Sequence, residues 1–283
     1  MMNIKGMSAV AVLGMTLLMT GCTSLETARD QEARAKLDET RNHIVYPLDE
    51  YRASPEQKVT MEIARIRIVE KCFRDHGISV LPVKREDVTF NDESREYGIW
   101  NELAAKNEVQ FLLAASQRTS GGTFYESSMD ELRVKCLAEH DGEVRRVSPA
   151  EEENISGLAD RLSLEAGDAA QKTPEWGSAV RKWEVCLKGR GLTPVSGEWD
   201  TEESRNVAER DLSDSRNAEE LTRLAMLEAR CSQESNMAQS LADIEASFQI
   251  PLIEDHQAEL DAAKEFFRTK SEAAEMYLSQ VAS

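Results

Sequence analysis

SPEQKVTMEIARIRIVEKCFRDHG, residues 54–77, reads as one complete α-helix with both ends written into it. Ser54 supplies a hydroxyl at the N-cap, Pro55 takes the first helical position, and Gln57 completes a capping box. Val59, Ile63, Ile66, Val69, Cys72 and Phe73 recur at helical spacing and lay an apolar stripe along one face. Gly77 stands where a C-terminal cap belongs. The same opening returns at Ser148-Pro149-Ala150-Glu151 and Thr173-Pro174-Glu175, and helical patterns recur near 93–108, 127–140, 149–166 and 175–189. Ile78 to Val83 and Leu192 to Val195 suggest short extended pieces. From Ala218 the residues Leu221, Leu224, Leu227, Cys231, Leu241, Ile244, Phe248, Leu252, His256, Leu260, Ala263 and Phe267 step by threes and fours. Pro251 interrupts this run, either kinking one helix or opening a new one. The predicted fold class is all-α: a helical bundle with two disulfide-linked helical units and a long C-terminal helix or helical hairpin. The last apolar stripe suits packing on its own domain. A partner-facing coiled coil is the alternative, although clean heptads are not sustained.

The two units emerge from a weak internal repeat. Val69-x-x-Cys72-Phe73-x-x-x-Gly77 matches Trp183-x-x-Cys186-Leu187-x-x-x-Gly191, and each is followed by a second helix with a cysteine, Leu132-x-x-x-Cys136 or Leu227-x-x-x-Cys231. Four cysteines allow three pairings. The repeat favours one bridge per unit, Cys72–Cys136 and Cys186–Cys231, closing loops of about 65 and 46 residues, each worth at most about 4 kcal/mol. Trp183, one turn before Cys186, is expected to pack over its bridge as core.

The fifth cysteine has a different setting. MMNIKGMSAVAVLGMTLLMTGC, residues 1–22, has Lys5 before thirteen apolar residues, Met7 to Met19, a length suited to a signal peptide and too short to span hydrocarbon. Leu18-Met19-Thr20-Gly21-Cys22 resembles the lipobox of exported lipoproteins, in which the thiol is acylated and the chain is cut before the cysteine. An ordinary secretory signal and a retained single-span anchor are the alternatives. The predicted organisation is a signal peptide over 1–21, a lipidated polar tether over 22–54, a first Cys-containing unit over 55–147 and a second over 148–283.

The chain carries 52 acids against 34 Lys and Arg, for a formal charge of −18, and loss of residues 1–21 removes one Lys and no acid, leaving −19. Nucleic acid is therefore not an expected partner, because phosphate recognition needs clustered cations. Anionic lipid is disfavoured for the same reason, so the acyl group on Cys22 must hold the bilayer.

No motif fixes a reaction. His43, His76, His140 and His256 are scattered, with neither an H-E-x-x-H nor a C-x-x-C pair, so no metal or cofactor is expected. His76 and His140 each follow a cysteine by four residues and read as helix C-terminal caps. Gly121-Gly122 reads as a loop, no phosphate-binding glycine motif or nucleophile elbow occurs, and Glu151-Glu152-Glu153 reads as a solvated first turn. Trp100, Trp176 and Trp199 lie near loops or helix ends; exposed, they suit a sugar or peptide surface, and partly buried core is the plainer reading.

The pattern resembles the uncharacterised helical lipoproteins of actinobacteria. The matching residues are Glu70-Lys71-Cys72-Phe73 with Gly77, Tyr97-Gly98, Lys135-Cys136-Leu137, Trp183-Glu184-Val185-Cys186-Leu187 with Gly191, and Ala229-Arg230-Cys231. Gln249, Leu252-Ile253 and His256 fit a further family segment, while Phe73 and Leu187 stand where Met is common and Pro251 departs from the pattern. The resemblance implies an exported, disulfide-linked helical body and transfers no reaction.

These readings predict a membrane-anchored extracytoplasmic lipoprotein on the outer face of the cell membrane. It would act without catalysis, as an accessory or interaction protein contacting another envelope protein. The alternative is a ligand-binding lipoprotein that captures a cell-wall fragment or small solute, which demands a concave aromatic-lined pocket. An enzyme would instead need a cluster of buried, pKa-shifted carboxylates or His in a cleft.

Overall fold

The computed structural model describes residues 28–40, 42–88, 96–117, 129–149 and 156–281. The lipobox with Cys22, Gly121-Gly122 and the Glu151-Glu152-Glu153 run, with it the capping box at Ser148, lie outside the described residues. Those described form one β-hairpin, β1 Lys36–Asp38 with β2 His43–Val45, and ten α-helices. The helices are α1 Pro55–Asp75, α2 Glu102–Gln117, α3 Asp130–Glu139, α4 Asp141–Val147, α5 Ser156–Gln171, α6 Pro174–Gly189, α7 Glu202–Ala208, α8 Ser215–Ser235, α9 Met237–Asp255 and α10 Gln257–Val281. The fold is all-α with a long C-terminal helix.

Helix α1 begins and ends on its sequence signals. The Gln57 amide donates to Ser54 Oγ at 3.2 Å, and the Ser54 amide donates to Gln57 Oε1 at 2.8 Å. At the other end Gly77, with φ +78°, lets the Ile78 amide reach the Phe73 carbonyl at 2.9 Å and its own amide reach Arg74 at 2.9 Å. This is a Schellman closure, and α6 repeats it: Gly191 has φ +76°, Leu192 bonds Leu187 and Gly191 bonds Lys188. The internal repeat is thus a repeated helix ending, with the residue after each cysteine supplying the accepting carbonyl.

Both bridges form as the repeat predicts, with Cα–Cα distances of 5.8 Å for Cys72–Cys136 and 5.5 Å for Cys186–Cys231. The repeat extends one step further. His76, four residues after Cys72, contacts Glu139 at 3.2 Å, and Arg190, four residues after Cys186, contacts Glu234 at 2.6 Å. In each unit the cap residue of the first helix pairs with an acid three residues past the second cysteine.

The two units do not stand apart as separate bodies. α1 lies along α10 and α4, burying Met61, Ala64 and Ile68 against Val147, Phe267 and Ala274. α2 lies along α8, where Ala105 meets Ala225 and Ala229 and the absence of bulk brings the helices close. The apolar stripe of α10 is therefore covered from within the chain.

Three further expectations change. The helix expected near 93–108 starts at Glu102, because Gly98 adopts φ +72° and Asn101 Oδ1 accepts from the Ala104 amide at 2.8 Å as its cap. Of the two alternatives at Pro251 the opening of a new helix is excluded: the proline lies inside α9, which ends at the His256 cap. The carbonyl of Ser247 that Pro251 cannot engage instead accepts the Asp30 amide at 2.7 Å. That bond belongs to the third difference. Over residues 28–40 and 42–54 the expected polar tether is part of the body. Ala35 donates to Asp243 and accepts from Gln239, both on α9, while Ile44, Tyr46, Leu48 and Tyr51 are buried. These apolar residues are too few and too closely spaced to announce a helix, and a three-residue strand leaves little alternation to read.

Replacing Cys72 and Cys136 together by Ala is expected to lower the unfolding free energy by about 2–4 kcal/mol, because a 64-residue separation is released in the unfolded chain. Urea titration checks this, and an unchanged midpoint would contradict it.

Candidate functional site

Among the described residues, aromatic side chains gather where the hairpin, the 96–100 segment, α5, α6 and α9 meet. Tyr97, Trp176 and Trp199 line a cleft of about 400 Å³, within the size range of small-molecule sites. Their rings are mutually steep: Tyr97 to Trp176 is 5.7 Å at 75°, Tyr97 to Trp199 is 5.6 Å at 85°, and Trp176 to Trp199 is 6.3 Å at 65°. Such edge-to-face packing is favoured by the ring quadrupoles. Trp183 sits behind, 6.0 Å from Trp199 and buried in the core with Cys231.

Local sequence puts each ring in place. Thr173 caps α6 through the Trp176 amide, which fixes Trp176 in the first turn. Trp199 follows the Gly197 turn, and its backbone is pressed against Gly98, where an added Cβ would stand 2.2 Å from the Trp199 carbonyl oxygen. Only glycine permits that approach. Tyr97, the neighbour of Gly98, is anchored by its hydroxyl.

That hydroxyl donates to Glu245 Oε2 at 3.0 Å and lies 2.8 Å from the Tyr46 hydroxyl. With the Tyr97 proton committed to the carboxylate, Tyr46 is the donor between the two phenols. Gln249 donates to Glu245 Oε1 at 3.2 Å and accepts the Leu48 amide at 3.1 Å. Glu245 is 7% exposed, and burial, first, with Glu96 nearby, lifts its carboxyl to about 7. Burial likewise raises both Tyr46 and Tyr97 above the ordinary phenol range.

The rest of the lining is acidic. Glu96, Asp160 and Asp168 join Glu245, against one guanidinium, Arg52. Arg52 already serves Asp49, Asp160 at 3.0 Å and Ser163 at 2.9 Å. Leu164, 72% exposed, forms an apolar rim, and Gly167 presents bare backbone toward the Glu245 carboxylate. Among the described residues no His, Cys or Lys lines the cleft. A second concavity of about 440 Å³ beside the start of α1 is lined by Lys58, Lys264 and Arg268, but Lys264 is paired with Glu50 and Arg268 with Glu265 and Glu272.

Cys22 lies outside the described residues, and among those described no helix is long and apolar enough to cross a membrane. His76 and His140 are helix C-caps as read, bonded to Glu139 and Glu143. Cys72, His76 and Cys136 bring their donor atoms within 4.8 Å, yet both sulfurs are spent on the disulfide and present no thiolate. Trp100 and Trp176 are buried core and Trp199 is half-buried; Trp176 and Trp199 border the cleft. Tyr46, Glu245, Asp160 and Asp168 escaped sequence reading. Glu245 had a signal: it interrupts the apolar stripe of α9 between Leu241 and Phe248.

Glu228, the second buried acid of this kind, accepts from the Thr201 amide and hydroxyl and from Ser204, and burial raises it to about 7. Both carboxyls hold a proton in the folded state at a pH where the unfolded chain has lost it. Their contribution is therefore present below about pH 4.5 and is lost as pH rises toward 7. The charges facing Glu245 are Glu96, Asp49, Asp160, Asp168 and Arg52, with the phenols of Tyr46 and Tyr97. Glu245→Gln is expected to remove about 2 kcal/mol of the stability loss between pH 5 and pH 7. Urea unfolding of both proteins across that range measures it, and parallel profiles would rule the linkage out.

Comparison with protein-family models, with curated proteins and with solved structures finds no match for this chain.

Proposed function

We propose that this chain is an extracytoplasmic, lipid-anchored binding protein that captures a small solute or wall fragment in the Tyr97–Trp176–Trp199 cleft. The observation that carries the reading is the cleft itself, an aromatic concavity of ligand size held open by a buried polar network. Kinship with the helical lipoproteins of actinobacteria is part of the same proposal and rests on the residues quoted above.

The accessory-protein reading takes second place, because the α10 stripe that a partner helix would have used is covered by α1 and α4. Catalysis is disfavoured by the setting of Glu245. Among the described residues it is the one deeply buried carboxylate of the lining and both its oxygens accept hydrogen bonds, so the lining does not gather the cluster of buried acids that catalysis would need. The packed N-terminal segment also bears on placement. Arg29 bonds Glu175, beside Trp176, and stands seven residues after Cys22, a reach of at most about 25 Å. An acylated Cys22 would thus keep the cleft near the membrane surface.

Thermal unfolding of the mature protein against wall fragments and small solutes tests the reading. A true ligand at about 100 times its Kd stabilises by about 2.7 kcal/mol and raises Tm. A broad panel with no shift would contradict capture.

A further inference from the structure

The two bridges repeat one another in sequence, yet their surroundings differ. We infer that Cys186–Cys231 is a thiol–disulfide exchange site, attacked at Cys186 by a dithiol reductant, while Cys72–Cys136 is a closed link. The inference does not depend on what the cleft holds.

Burial separates the bridges first. Cys72 and Cys136 are 1% and 0% exposed, and Phe73, Val80, Met129, Leu132 and Leu137 pack around them. In the second unit Cys231 is 0% exposed, but Cys186 is only half-buried at the edge of the core. Its neighbour Val185 is 69% exposed. Gly189, one turn on, adds no side chain, and nothing stands within 4 Å of where its Cβ would be. Cys186 therefore borders an open concavity of about 610 Å³.

Charge is the second difference. Lys182 and Arg190, one turn before and one turn after Cys186, line the same concavity. Arg190 Nη2 holds Glu234 at 2.6 Å, while its Nη1 is buried without a hydrogen-bond partner among the described residues. Glu234 Oε2 lies 3.7 Å from Cys186 Sγ, and its pairing with Arg190 offsets a charge that would otherwise repel a thiolate. Cations beside a cysteine favour the thiolate form on which exchange depends.

The same burial decides which sulfur is attacked. A thiolate of the reductant bonds to Cys186 Sγ, the Cys186–Cys231 bond breaks, and the electron pair leaves on Cys231 Sγ, which takes a proton from water. The second thiolate of the reductant then attacks its own partner sulfur in the mixed disulfide and releases Cys186. The bridge gains two electrons and becomes two thiols; the dithiol is oxidised to a disulfide. Cys231, fully buried, offers no point of entry.

The full mature protein is treated with dithiothreitol under native conditions, quenched with iodoacetamide at intervals and mapped by mass spectrometry. Cys186 and Cys231 should be alkylated together, at least about tenfold faster than Cys72 and Cys136, whose exchange waits on local opening. Equal rates, no reaction at either bridge, or Cys72 and Cys136 first would overturn the inference. Brief exposure to glutathione, quenched the same way, shows the point of entry. The first adduct should carry glutathione on Cys186 and the alkyl group on Cys231, and the reverse arrangement would overturn the step. Lys182→Glu, at an exposed position, should keep the wild-type Tm and slow formation of that adduct roughly threefold. An unchanged rate would overturn the role given to the cations.

Discussion

The Glu245 carboxylate on α9 accepts hydrogen bonds from Tyr97 and Gln249, and through them it reaches the Tyr46 hydroxyl and the Leu48 amide. Three stretches far apart in sequence are joined at one buried acid. Removing a carboxylate from water is costly unless its oxygens find donors, and here each oxygen has one. The raised pKa records what desolvation cost remains. Tyr97 so fixed places its ring against Trp176 and Trp199, and the glycine beside it admits the Trp199 backbone. The cleft is the consequence of that arrangement.

Glu228 does the same work on the other side of Trp199, gathering Thr201 and Ser204 onto α8. Two acids on apolar helix faces thus hold loops that the helices alone would not order. The disulfides act elsewhere. Each joins two helices of one unit, with a cap residue and an acid pairing alongside, His76 with Glu139 and Arg190 with Glu234. Bridges secure the units, and helix packing between α1 and α10 and between α2 and α8 makes them one body.

Much of this was legible because helices advertise their ends. Ser54, Gln57 and Gly77 are local signals whose partners lie within a turn, and the Cys–Gly repeat carried the pairing of all four cysteines. What stayed hidden depends on contacts across long sequence separations. Nothing near Pro251 announces that Ser247 will accept the Asp30 amide, and nothing near Tyr46 announces Tyr97. The N-terminal segment looked like a tether because its apolar residues follow no helical period, yet α9 supplies the partners that make it ordered. Glu245 and Glu228 were visible as interruptions of apolar stripes, a pattern that marks a buried acid only once its donors are known.

A double-mutant cycle between Tyr97→Phe and Glu245→Gln, read as unfolding free energy near pH 7, bears most directly on the central claim that this one hydrogen-bonded acid assembles the cleft. A coupling energy of about 1–3 kcal/mol is predicted, as for a buried bond to a charged or half-charged group. Losses that add to within about 0.3 kcal/mol would mean that Tyr97 and Glu245 act independently, and the account would be wrong at its root.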